Sequence, residues 1–192
     1  MAKQKGAVPY AGGTDFMIRH AKALQTGQCP PFIFLNQLKE LHGISNTDNT
    51  DNTDNTGNIV RIGALTTMAA LSVNKDIPEL LAQACNCLGS PALRTAATLG
   101  GNICTASPAG DSLPPLYALG AQVEICSLQG RRLMPISEFI SGPGTTALQD
   151  DELLSAVILP ASEFNEFYHH KVSPRALLKM PSSPVWTQRK TQ

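Results

Sequence analysis

Thr98-Leu-Gly-Gly-Asn-Ile-Cys-Thr-Ala-Ser-Pro-Ala-Gly-Asp111 is the stretch on which the reading of this chain turns. It pairs Gly100 with Gly101 and flanks them with hydrogen-bonding side chains at Thr98, Asn102, Thr105 and Ser107. Pro108, Gly110 and Asp111 close it. Adjacent glycines let the backbone turn sharply and let a ligand approach the main chain with no Cβ in the way. Such a concentration of donors, acceptors and backbone freedom is typical of a binding loop. The small residues from Ser90 to Asn102 predict an extended or looped path. Asp111 is placed to cap a helix through Leu116, Tyr117 and Leu119 that Gly120 ends. Taken alone, the stretch is equally a structural loop whose Asp111 is a cap and nothing more.

Upstream, a second glycine pair stands in Ala11-Gly-Gly-Thr-Asp15. Val8 to Ala11 reads as a short buried strand ending at Gly12-Gly13. Thr14 is placed to cap a helix with Phe16, Met17, Ala21 and Leu24 at helical spacing, and Asp15 favours its dipole. Pro31 to Leu35 reads as another strand, so the opening is strand, turn, helix, strand, compact and parallel. Amides at a strand-to-helix turn attract phosphate, although a glycine pair before a helix is more often simply a turn. Neither Gly-x-Gly-x-x-Gly nor a P-loop is present. Two amide-rich turns together suit a dinucleotide, whose pyrophosphate carries charge on both halves.

Between and beyond these loops the pattern is mixed. Thr-Asp-Asn repeats from Thr47 to Thr56 with no apolar residue to bury, which predicts a solvated loop. The spacing of Asp48, Asp51 and Asp54 matches no calcium-binding loop. Ile59 to Ile62 alternates as a strand, and Thr66 or Thr67 begins a short helix through Leu71. Asp76 reads as the N-cap of a helix with Pro78 in its first turn, apolar at Leu80, Leu81, Ala84 and Leu88 and stopped by Gly89. Gln122 to Cys126 and Arg131 to Met134 flank a Gln129-Gly130 turn as a hairpin, and Leu153 to Leu159 is a further apolar strand. The class is α+β.

Composition narrows the function. The 192 residues are 42% hydrophobic and 16% charged, with 15 basic and 15 acidic side chains. That zero balance forms no basic face for nucleic acid or anionic lipid, and no apolar run is long enough to span a bilayer. An anionic ligand would be held by amides and helix ends. Cys29, Cys85, Cys87, Cys104 and Cys126 are odd in number and scattered, which predicts the thiols of a cytoplasmic protein with no disulfide framework. Cys85-Asn-Cys87 lacks the spacing of a zinc or iron–sulfur site and reads as apolar packing on a helix face. No metal site is expected.

The two loops also carry a resemblance. Ala11-Gly-Gly-Thr-Asp15, Ala97-Thr-Leu-Gly-Gly-Asn-Ile103, Thr105-Ala-Ser-Pro108 and Asp111 resemble the FAD-binding domain of molybdenum hydroxylases, among them xanthine dehydrogenase, carbon monoxide dehydrogenase and quinoline or nicotinate oxidoreductases. Leu153-Leu-Ser155, a strand ending at Pro160, then Phe167, Lys171 and Arg175 extend the match to about residues 7–175. The resemblance implies a PCMH-type fold of two α/β subdomains, a small parallel N-terminal part and a larger mixed or antiparallel sheet. It implies FAD as cofactor. Pro9, Tyr10, Ala11, Gly12, Gly13, Thr14, Asp15 and Phe16 would wrap the pyrophosphate and adjoining groups. Thr98, Gly101 and Asn102 would supply the second half of the clamp, and Asp111 would bond polar groups of the nucleotide. Leu88 and Leu153 would touch the cofactor and Lys171 would approach it. The implied role is electron relay beside a molybdopterin-binding subunit and an iron–sulfur subunit, with no substrate chemistry in this chain.

The sequence departs from the family at both ends. It lacks an upstream strand and helix, and the resemblance fades after Arg175, where family members continue as a separate α/β lobe. The expected division is therefore a FAD-binding domain at 1–160, containing the low-complexity loop 47–58, and the start of a truncated, irregular C-terminal lobe at 161–192. A rival reading is a degenerate remnant or interaction module that no longer binds FAD. Both loops intact at every glycine favour the flavin; the shortened C-terminal part favours the remnant.

Overall fold

Gly13 turns the chain at φ +71°, a region that side chains with a Cβ rarely enter. It joins strand β1 (Val8–Tyr10) to helix α1 (Phe16–Arg19), which a bend at His20 separates from α2 (Ala21–Gln25). Strand β2 (Phe32–Phe34) then pairs with β1 in parallel, Val8 against Phe32 and Tyr10 against Phe34. Alternation puts these four side chains on one face. There the Tyr10 ring centroid lies 5.3 Å from that of Phe16 and 5.2 Å from that of Phe34. Aromatic pairs of this kind contribute about 0.5–1.5 kcal/mol each. Two expectations are corrected. β1 is half-buried rather than buried, as suits a sheet of only two strands. Thr14 does not cap α1: the N-cap position is Asp15, already right-handed helical at φ −88° and making no side-chain cap bond. Asp15 is instead ion-paired to Arg19 one turn on.

The computed structural model describes residues 6–48 and 58–160, together with the backbone of two short strands near the C-terminus. Phe167, Arg175, the Lys171 side chain and the tail apart from the backbone of 185–187 lie outside the described residues. In the larger part, β3 (Ile44–Asp48) and β4 (Asn58–Gly63) pair antiparallel up to Asp48 against Asn58. The strand thus takes in Thr47 and Asp48 of the Thr-Asp-Asn tract. Helix α3 (Met68–Val73) is capped by Thr67, whose Oγ1 accepts from Ala70 N at 3.2 Å. Helix α4 (Glu79–Asn86) begins after Pro78, so Asp76 is not its cap. The Asp76 amide instead donates to Asn74 Oδ1 at 2.7 Å, forming a turn ahead of the helix.

The largest correction lies in residues 90–105, which are helical. Ser90 caps α5 (Pro91–Ala96) and Thr98 caps α6 (Leu99–Thr105), each side chain accepting from the amide three residues on. Two glycines cost a helix about 1 kcal/mol each relative to alanine, and that local cost argued for a loop. Docking reverses it. Leu99 and Ile103 are completely buried, and the amides of Leu99 and Gly100 donate to Thr66 O and Ala64 O at 3.0 and 2.8 Å. Gly100 itself permits the approach, since a Cβ there would sit 2.7 Å from that of Ala64. The helix ends on Ala106 at φ +45°, the sole non-glycine residue with positive φ among the described residues.

Helix α7 (Leu113–Ala118) starts at Leu113, with Ser112 in the N-cap position and no side-chain cap bond, so Asp111 stands outside the helix and does not cap it. The hairpin β5 (Gln122–Ser127) and β6 (Gly130–Pro135) forms as read. Helix α8 (Ile136–Phe139) and the small pair β7 (Ile140–Gly142) and β8 (Thr145–Thr146) lead into β9 (Leu153–Leu159). The backbone of β10 (His169–Lys171) pairs antiparallel with β11 (Val185–Thr187). The main sheet runs β3-β4-β9-β5-β6, antiparallel throughout. Its inner face, with Ile62, Val123, Ile125 and Val157, packs in one core with Met68, Leu81, Leu99, Leu116 and Phe139 from the helices.

The sheet also carries an ion-pair cluster. Arg61 on β4 donates to Glu124 Oε1 on β5 at 2.8 Å, and the Ser155 hydroxyl on β9 reaches the same oxygen at 2.6 Å. Burial alone would raise the Glu124 carboxyl, but the Arg61 and Ser155 hydrogen bonds, with the charges of Arg61 and Arg131, outweigh it and hold it below its ordinary value near 4.5. A depressed folded value means that the stabilisation is complete above pH 4.5 and is lost as the pH falls through the folded value. Denaturation midpoints should therefore drop on acidification below that point, and Glu124→Gln should make the drop shallower. An equally steep acid limb in the variant would assign it to other carboxylates.

Candidate cofactor site

The two glycine loops meet at a cavity of about 510 Å³ between the small and large parts, within the usual range for a bound ligand. Glycine brings them together. A Cβ on Gly12 would run into the carbonyl of Ala96, at the end of α5, so only glycine lets the first loop lie against the start of the second. Every site residue read from the sequence whose side chain is described lines this cavity: Pro9 to Phe16 along one side, Thr98, Gly101, Asn102 and Asp111 along another, with Leu88 and Leu153 supplying apolar wall.

The loops offer different chemistry. The amides of Ala11, Gly12, Gly13 and Thr14 have no hydrogen-bond acceptor among the described residues, so this turn presents donors to whatever fills the cavity. In the second loop the corresponding amides are taken. Those of Leu99 and Gly100 bond the carbonyls named above, and that of Gly101 donates to Thr98 Oγ1 at 3.2 Å. What the second loop presents is a surface without Cβ atoms. Outside the helix's own backbone, a Cβ on Gly101 would meet Thr98 Oγ1 at 2.8 Å and nothing else within 4 Å among the described residues.

Side chains complete the set. The Ser112 hydroxyl, fully buried, donates to Asn102 Oδ1 at 2.7 Å, which fixes the amide and leaves its NH2 as the remaining donor. Asp111 is 7% exposed. Burial first, and then the Asp111 charge, push the Cys85 thiol up to about 12. Burial alone pushes Cys104, on the cavity wall, up to about 12. Neither is a thiolate at neutral pH, so neither is a ready nucleophile. No disulfide joins the five cysteines, and no group of three His, Cys, Asp or Glu side chains is gathered for a metal among the described residues. Sequence reasoning missed Ser112, which looks like an ordinary helix start, and Arg19, whose Nη2 reaches Thr105 O at 3.4 Å across the two loops. It also missed the wall formed by Leu148, Gln149, Asp150 and Glu152, which is built by contacts remote in sequence.

Unpaired amides, a Cβ-free helix start, a buried carboxylate and flanking leucines suit a ligand that joins a diphosphate to a flat apolar ring, and the residues present fit a flavin dinucleotide. Comparison with known proteins agrees. Residues 1–162 match the family described as the FAD binding domain in molybdopterin dehydrogenase. A xanthine dehydrogenase FAD-binding subunit from Escherichia coli is 34% identical over 154 residues, covering 78% of this chain and 49% of that protein. The nicotinate dehydrogenase FAD-subunit of Eubacterium barkeri is 33% identical over 158 residues, with the same coverage. The chain thus spans about half the length of the curated relatives it matches. The fold matches carbon monoxide dehydrogenase from Hydrogenophaga pseudoflava with a TM-score of 0.81 at 24% identity, over 99% of this chain and 64% of that one. No helix among the described residues is long and apolar enough to cross a membrane. With its two glycine loops, its mixed architecture and a family match over residues 1–162, this chain belongs to the FAD-binding domains of molybdopterin dehydrogenases.

Proposed function

We propose that this chain holds FAD in the cavity between its glycine loops and works as the electron-relay subunit of a molybdenum-containing hydroxylase or dehydrogenase. The observation that carries the reading is the pairing of unpaired amides at residues 11–14 with the Cβ-free face of Gly101 across one cavity. The amides of Ala11 to Thr14 bind the pyrophosphate, as amides at a turn before a helix bind anions. Asn102, held by Ser112, and Asp111 engage polar groups of the nucleotide, and Thr98 keeps the start of α6 in place for the ligand to pass over Gly101. Pro9, Tyr10, Asp15 and Phe16 complete that side. Leu88 and Leu153 flank the ring and exclude water from it, and Lys171 approaches it. The bound flavin supplies one- and two-electron redox chemistry that no side chain offers. The division at residue 160 assigns the whole of this site, apart from Lys171, to the first domain.

Relatives named as FAD subunits of xanthine and nicotinate dehydrogenases support assembly with further subunits, which in this reading are an iron–sulfur subunit that delivers electrons and a molybdopterin-binding subunit where substrate is oxidised. The test is direct. The purified chain should show a flavin spectrum that survives gel filtration and should release FAD on denaturation. Colourless protein that takes up no added FAD would sink the proposal and favour a remnant without cofactor.

A further inference from the structure

One wall of the cavity is held from behind. Residues 147–152 join β8 to β9 and carry Leu148, Gln149, Asp150 and Glu152 into the cavity lining. Glu152 is anchored by Arg132 on β6, which donates from Nε to Oε1 at 2.8 Å and from Nη2 to Oε2 at 2.9 Å. The Gln149 amide donates to Oε2 at 2.9 Å, and Arg132 Nη2 reaches Ala147 O at 3.4 Å. The fork therefore ties both ends of the segment to the sheet, and the Glu152 side chain is only 11% exposed. Held this way, first by the Arg132 hydrogen bonds, the Glu152 carboxyl lies below the usual carboxylate range.

The charge balance gives this anchor a further role. Four carboxylates line the described cavity: Asp15, Asp111, Asp150 and Glu152. Asp15 is matched by Arg19 on its own helix, whereas Glu152 is matched by a residue that does not line the cavity. We propose that Arg132 is a positioning residue for an anionic ligand, fixing the 147–152 wall and neutralising Glu152 so that the wall does not repel a diphosphate. The proposal rests on the reading of the cavity as a dinucleotide site.

The test titrates the full chain, stripped of flavin, with FAD and with riboflavin, which shares the ring and lacks the phosphates. Arg132→Gln should weaken FAD about tenfold, the effect of about 1.4 kcal/mol, and riboflavin by less than about threefold. Adding Glu152→Gln to that variant should restore most of the FAD affinity, because no unpaired charge remains. Equal losses for the two ligands, no loss at all, or no recovery in the double variant would each overturn the proposal. Should Arg132→Gln fail to fold, Glu152→Gln alone decides. With Arg132 still positive behind the wall, it should bind FAD at least as tightly as the parent chain, and weaker binding overturns the idea. A parent chain that binds neither ligand overturns the dinucleotide reading itself, whereas tight FAD binding insensitive to Arg132 overturns this inference alone.

Discussion

Replacing Gly101 with valine should abolish flavin retention and leave the melting temperature of the flavin-free protein within a few degrees of its parent. The two halves of this expectation have separate causes. Valine suits a helix better than glycine by a few tenths of a kcal/mol. Against that stands the Thr98 cap, whose Oγ1 would lie 2.8 Å from the new Cβ and must shift; losing a cap costs about 1 kcal/mol. The terms nearly cancel, so the fold stands. Binding has no such compensation, because the branched side chain projects into the cavity surface over which the ligand must pass. A loss of about a hundredfold or more in FAD affinity follows, the effect of about 2.7 kcal/mol. Visible absorbance after gel filtration and a thermal melt of the stripped protein check both halves. Unchanged flavin retention would remove Gly101 from the site.

The neighbouring glycine should give the opposite result. Gly100→Val places a Cβ 2.7 Å from Ala64 Cβ and 2.9 Å from Ala64 O, at a buried position of α6. Neither contact is the movable end of a flexible side chain. The helix must lift from Ala64, just past the end of β4, which also strains the Gly100 amide bond to Ala64 O. Overpacking costs about 1–3 kcal/mol and a lost buried hydrogen bond about 1–3 more, so a loss of about 3 kcal/mol is a low figure. For a chain of this size that lowers the melting temperature by roughly 6–12 °C, with or without flavin. A melting point within a degree or two of the parent would mean that α6 is not docked as described. On these expectations the two adjacent glycines serve different needs, Gly100 the packing of the protein and Gly101 the proposed ligand.

Much of the architecture was legible in periodicity. The parallel opening follows from its strand, turn, helix, strand order, the hairpin of β5 and β6 from alternation and turn residues, and β9 from its apolar run. The central place of β9, between β4 and β5, was not legible. Leu154, Ser155, Ala156 and Val157 are consecutive and all buried, and a strand covered on both faces shows no alternation from which to infer its neighbours. Helices α5 and α6 escaped for a different reason. Pro91–Ala96 is a single short run of six residues, and the paired glycines of α6 lower its local helix propensity, so that what makes α6 helical is packing of Leu99 and Ile103 with carbonyls supplied by residues 64 and 66. Ser90 and Thr98 were not read as helix starts, although both are residue types that cap helices. Asp76 and Asp111 show the converse error, since an acidic residue near a helix start is not thereby its cap.

The site divides in the same way. Both glycine loops could be found because paired glycines are a local signal, and the resemblance supplied the roles expected of them. The contact of Gly12 with Ala96 could not be found, nor could the fork of Arg132 on Glu152, since each joins residues that only the folded chain brings together.

The antiparallel pairing of β3 and β4 gives the Thr-Asp-Asn tract a particular freedom. Asp48 opposite Asn58 is the last described pair of the ladder, and the rest of the tract joins the two paired strands in sequence. Lengthening such a connection costs only about 0.6 kcal/mol for each doubling, and adding or removing a repeat leaves every paired residue of the two strands opposite the same partner. The number of repeats can therefore drift between generations with little selective consequence for the fold, and the tract is a natural point at which to splice in a reporter peptide.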